Sequence, residues 1–193
     1  MVDNHPRDDA PISASKRSDA TEIAHGQLAD AKGNSIVGRA VTINKPVSEV
    51  FAFFRDFSNL PSFMENVDRI DVVDEKRSHW VVRGPAKLTY EWDALVTDEV
   101  KDRYIAWSSQ PGADVDNSGR VDFRDAGARG TVVSATIMYD PPGGVVGKLI
   151  AKMFQREPAI QARRDLRRLK QLMETGEIAT AAMNLKQREE ELA

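Results

Sequence analysis

A chain of 193 residues with 41% apolar, 30% charged and 7% aromatic residues has the make-up of one globular domain with tails. It contains no cysteine, which excludes disulfides and thiolate metal sites and fits a reducing compartment. The formal net charge of −3 is too small to draw the whole chain to nucleic acid. Neither an apolar run of signal-peptide type nor an uncharged stretch of about 18 residues is present, so a cytoplasmic protein that does not span a membrane is expected.

Residues 1–35 hold no aromatic side chain, mix both signs of charge, and bury too little to offset their ordering entropy, so they are expected to form a disordered tail. His5 and His25 lie in this tail without ligand partners at useful spacing and read as solvated. From Ile36 the pattern changes. Val37, Val41 and Ile43 share one phase of a strand, which Asn44, Lys45 and Pro46 end. Pro46 suits the first turn of a helix, and Val50, Phe51, Phe54 and Phe57 recur at helical spacing. Ser58 is the expected cap of a second short helix that contains Pro61 and carries Leu60, Phe63 and Met64.

Five of the seven phenylalanines fall within residues 51–63. Leaving them in water would forfeit roughly 1.5–3 kcal/mol each, so this corner must face a core or a pocket.

Short strands separated by turn residues then follow one another with no helix between them, which indicates an antiparallel meander. In "KLTYEWDALVTDEV" the phase Leu88, Tyr90, Trp92, Ala94 and Val96 is expected to face inward, and Glu91 and Asp93 outward. "DPPGG" stops the sheet. Val146, Leu149, Ile150, Met153 and Phe154, then Ala162, Leu166, Leu169 and Met173, keep a helical spacing that Gly176 ends, with a kink expected at Pro158. One amphipathic helix cannot cover seven strands if they lie flat. The expectation is therefore an α+β domain over residues 36–178, a seven-stranded curved antiparallel sheet in the order β-α-α-β6-α around a long C-terminal helix, followed by a helical or frayed extension over 179–193.

"TINKPVSEVFAFFRDFSNLPSFM", "GPAKLTYEWDALVTDEVKDRYIAWSS", "GRVDF" and "GTVVSATIMYDPPGG", followed by a basic helix, resemble bacterial polyketide cyclase/dehydrase-like proteins. These belong to the helix-grip superfamily, also called SRPBCC, with the birch-pollen allergen, the START lipid-transfer domains and the coenzyme Q-binding proteins. The resemblance covers about residues 36–178 and implies a hydrophobic cavity that holds a lipid, quinone or polyketide-like molecule. Members include binders, transporters and enzymes, so the fold leaves the activity open.

Phe54, Phe57, Phe63, Trp80, Tyr90, Trp92, Trp107, Phe123, Ile137, Tyr139, Ile150 and Phe154 are the residues expected at the cavity, or else in the packed core. A non-enzymatic binder of a small hydrophobic ligand, monomeric or weakly dimeric and without cofactor or metal, is the leading reading. The alternative is a cyclase- or dehydrase-type enzyme with His79, Glu91, Asp93 and Tyr90 as proton-moving groups, although the two carboxylates also read as a solvated outer face and His79 as a histidine without a partner. A third is an interaction module that uses the tails and the basic helix. Between Lys148 and Lys170 eight basic residues face only Glu157 and Asp165. Arg163, Arg164, Arg167 and Arg168 read either as a solvated helix face or as a dock for anionic lipid, and no stacking platform accompanies them for nucleic acid.

Overall fold

The computed structural model describes residues 35–84, 88–140 and 158–179. Strand β1 (Ser35–Ile43) leads into helix α1 (Val47–Arg55) and a 3-10 segment, Phe57–Ser62. Six strands follow: β2 (Val67–Val72), β3 (Arg77–Arg83), β4 (Thr89–Val100), β5 (Tyr104–Ser109), β6 (Asp116–Asp125) and β7 (Thr131–Asp140). Helix α2 (Pro158–Thr175) closes the described chain. The strands form one seven-stranded sheet in the order β1-β7-β6-β5-β4-β3-β2, antiparallel throughout, as the alternation of strands and turns predicts. Among the described residues no helix is long and apolar enough to cross a membrane.

Two ties show that the sheet is curved. Lys170 Nζ on α2 donates to the carbonyl of Thr42 on β1, one edge of the sheet. Asp165 on the same helix accepts from Glu65 N at 3.2 Å, just before β2 at the other edge. Seven strands laid flat would put these edges about 29 Å apart, whereas a helix with its side chains is about 10–12 Å across. One helix reaches both edges because the sheet wraps around it.

The phenylalanine corner is where α1 and the 3-10 segment pack on the concave side. Phe51, Phe54 and Phe63 are buried, and Phe53 and Phe57 half-buried. Phe51 and Phe54 meet Phe123 edge-on at 5.3 and 5.7 Å, and Phe63 lies 6.2 Å from Phe54 and 6.4 Å from Phe53. The second short helix is a 3-10 turn capped by Asp56 rather than Ser58: Asp56 Oδ1 accepts from Ser58 N at 3.2 Å and from Ser58 Oγ at 2.5 Å. With Pro61 inside it, a short run of i to i+3 bonds is all the segment can close.

One other expectation shifts. Leu88 precedes β4 and is 43% exposed, so the inward phase of β4 begins at Tyr90. The helix ends as predicted, with Gly176 at φ +78° donating its N–H to Leu172 O at 2.9 Å. The kink expected at Pro158 involves residues 146–154, which lie outside the described residues, as do His5 and His25.

Candidate functional site

Between the concave face of the sheet, the phenylalanine corner and α2 lies a cavity of about 280 Å³. Inward positions of six strands line it: Val67 from β2, Trp80 and Val82 from β3, Tyr90, Trp92, Ala94 and Val96 from β4, Ile105 and Trp107 from β5, Asn117 and Val121 from β6, Ala135 and Ile137 from β7. Phe54, Phe57, Leu60, Phe63 and Met64 close one end, and Gln161, Ala162, Asp165 and Leu166 come from α2. Of the residues expected at the cavity, Phe54, Phe57, Phe63, Trp80, Tyr90, Trp92, Trp107 and Ile137 stand in its wall. Phe123 does not: α1 covers it, and it packs between Phe51 and Phe54 as core. Ile150, Phe154 and the side chain of Tyr139 lie outside the described residues.

The aromatic wall is built around glycines. A Cβ at Gly119 on β6 would stand 2.3 Å from Trp107 Cζ2, so the missing side chain is what lets the Trp107 ring lie across β6. Likewise a Cβ at Gly84 would stand 2.1 Å from Tyr90 Cε2. Trp80 and Trp92, cross-strand partners on β3 and β4, stack at 6.1 Å and 12°, and Phe57 adjoins Trp80 at 6.3 Å. The indole N–H groups are directed within the wall, from Trp80 Nε1 to Ser78 Oγ at 2.9 Å and from Trp107 Nε1 to Asn117 Oδ1 at 3.4 Å. Among the described residues the buried Tyr90 hydroxyl has no hydrogen-bond partner.

Asp165, which sequence reasoning passed over as one of two acids in a basic helix, contributes the one carboxyl in the wall among the described residues. Its Oδ1 accepts from Glu65 N at 3.2 Å and from Gln161 Nε2 at 2.9 Å. Burial pushes the carboxyl up to about 6, against the opposing pull of those two donors and of Arg168. The folded state therefore holds a proton that an unfolded chain releases at the ordinary value of 3.8, and stability falls as pH rises between the two. At this half-buried position the penalty above pH 6 is of order 1–2 kcal/mol. Asp165→Asn keeps an acceptor oxygen for Glu65 and Gln161, so its gain in unfolding free energy over wild type is expected to grow from near zero at about pH 4 to about 1–2 kcal/mol at about pH 7. Urea titrations across that range check this; a gain that does not change with pH would remove Asp165 as its source.

The other candidate proton-moving groups sit on the opposite face. His79 is not partnerless: its Nδ1 lies 2.8 Å from Asp93 Oδ1 and its Nε2 3.4 Å from Glu91 Oε2, because antiparallel pairing sets His79 opposite Asp93 and Val81 opposite Glu91. The hydrogen bond to Asp93 holds the imidazole above its ordinary value of 6.5. All three residues line a separate polar groove of about 350 Å³ with Gln110, Gly112 and Asp114, and none lines the apolar cavity. Of the four arginines considered for anionic lipid, Arg164 and Arg167 are exposed, while Arg168 Nη1 stands 3.4 Å from Glu65 Oε2, and Arg163 adds to the burial that lowers the affinity of Arg39 for a proton.

Comparison with known proteins adds four findings. The family model described as polyketide cyclase / dehydrase and lipid transport matches residues 43–167. An uncharacterized 17.2 kDa protein of Streptomyces lincolnensis is 29% identical over 143 residues, 72% of this chain and 90% of its own. Among solved structures, a Deinococcus radiodurans protein is 41% identical with a TM-score of 0.60, over 74% of this chain and all of its own. The Zhui aromatase/cyclase of a Streptomyces species shares the fold at 13% identity and a TM-score of 0.59, over 75% of this chain and 99% of its own.

Proposed function

The chain belongs to the polyketide cyclase / dehydrase and lipid transport family, and from that premise we propose that it binds and carries a small hydrophobic molecule between the curved sheet and α2. The observation that carries this reading is the cavity itself, which is lined by three tryptophans, three phenylalanines and aliphatic side chains at a volume suited to one small ligand. An apolar space of about 150 Å³ already holds benzene, so about 280 Å³ has room for a two-ring molecule. Desolvating such a ligand against this wall supplies roughly 25 cal/mol per Å² of apolar surface buried. The binding unit is residues 36–178.

A neutral fluorescent probe such as N-phenyl-1-naphthylamine is expected to bind saturably, one per chain, with a blue-shifted emission. A hydrophobic compound retained through native purification and identified by mass spectrometry should displace it. Failure of the probe to saturate, together with repeated native preparations free of any apolar compound, would sink the reading.

One observation favours the enzymatic alternative: a carboxyl titrating near pH 6 stands in an apolar wall, the setting in which general acid–base catalysis is tuned. That role, if exercised, falls to Asp165 and not to His79, Glu91 or Asp93, which are separated from the cavity by the thickness of the sheet. Turnover of a ligand recovered from native protein, abolished in Asp165→Asn, would decide for it.

A further inference from the structure

The Asp165 carboxyl is fixed by only one of its oxygens. Both donors that hold it, Glu65 N and Gln161 Nε2, reach Oδ1. The second oxygen has no hydrogen-bond or ion-pair partner among the described residues, although the group stands at the wall of an otherwise apolar cavity. Because the two anchoring donors come from different elements, α2 itself and the segment before β2, the carboxyl is oriented before any ligand arrives. The opposite side of the space is flat and aromatic, with Trp80 and Trp92 stacked and Trp107 laid across Gly119.

We propose that the cavity selects an uncharged, flat, apolar molecule that ends in a hydroxyl or other hydrogen-bond donor, and that Asp165 Oδ2 accepts that hydrogen bond. This rests on the reading that the cavity binds a small hydrophobic molecule, and it makes Asp165 the residue that orients the ligand. The same group rejects fatty acids and other anions, since a second carboxylate beside Asp165 would face like charge in a poorly hydrated space. A ligand with no donor gains only apolar contact. One with a donor also satisfies an ionised acceptor, which strengthens binding by about tenfold. The charged groups facing Asp165 are Glu65, from the segment before β2, and Arg168 on α2, which pair with each other at 3.4 Å. Burial, with both of them present, leaves Asp165 ionised at neutral pH and protonated well below pH 6. The donor preference should weaken over that interval.

The test uses 1-naphthol and 1-methoxynaphthalene, two-ring probes of similar size that differ in the donor, titrated calorimetrically into the full chain. At about pH 7.5 wild type is expected to bind 1-naphthol about tenfold more tightly than 1-methoxynaphthalene, a ratio that falls to about threefold or less near pH 4.5. In Asp165→Asn the ratio should stay within about twofold at both pH values, since the amide presents a donor where Oδ2 was an acceptor. Equal binding of the two probes by wild type at about pH 7.5 overturns the assignment of Asp165 while leaving a hydrophobic cavity intact. A tenfold ratio that survives in Asp165→Asn overturns it as well. Binding of neither probe overturns the cavity-binding reading on which the assignment rests. The pH arm in wild type stands even if the variant folds poorly.

Discussion

Replacing Phe63 with alanine is expected to lower the unfolding free energy by about 3–5 kcal/mol, the upper range for truncating a buried ring. Phe63 is 2% exposed and lies 6.2–6.4 Å from Phe53 and Phe54, where the 3-10 segment turns into β2. It also stands in the cavity wall. The space it vacates would join a cavity that is already open, so the usual relief, partial collapse of neighbours into the hole, has little to work with. Denaturant unfolding measures the loss, and a bulkier apolar probe should bind the variant better than it binds wild type. A loss under about 1.5 kcal/mol would mean that the corner is a lid resting on the core rather than part of it.

The strands, their pairing and the placement of the aromatic residues were legible because each rests on a local period. The phase that puts Tyr90, Trp92, Ala94 and Val96 together is the phase that faces the cavity, and the phenylalanine corner announced itself by the cost of exposing it. Residues whose roles depend on register or on a distant segment were not legible. His79 acquired partners only because β3 and β4 pair with His79 opposite Asp93. Phe123 was correctly read as inward, but α1 reaches it before the cavity does. Asp165 left a signal that went unused. It lies three residues after Ala162 and four before Leu169, within the apolar stripe of α2, so a carboxyl there had to be buried or paired. What no periodicity supplies is the partner, the backbone N–H of Glu65, which is brought to it by the curvature of the whole sheet.

The shape of the cavity beside Trp107 depends on the absence of a side chain at Gly119. A methyl group there would stand 2.3 Å and 2.6 Å from Trp107 Cζ2 and Cη2 and 2.8 Å from the carbonyl oxygen of Thr136. The carbonyl belongs to the β6–β7 ladder and cannot move without breaking it, so the indole must yield. The open space beside Trp107 is the cavity. Gly119→Ala is therefore expected to cost about 1–3 kcal/mol by overpacking and, by turning the ring into the ligand's volume, to weaken binding of a two-ring probe by about tenfold or more. Pairing it with Trp107→Leu separates the two causes, because leucine lacks the atoms that collide. In the double variant the cost of Gly119→Ala should shrink to the residual strain against the Thr136 carbonyl, giving a coupling energy of about 1–2 kcal/mol in a double-mutant cycle, and probe binding should recover in part. Strict additivity of the two substitutions would place the strain of Gly119→Ala in the backbone alone and leave Trp107 with no part in shaping the cavity.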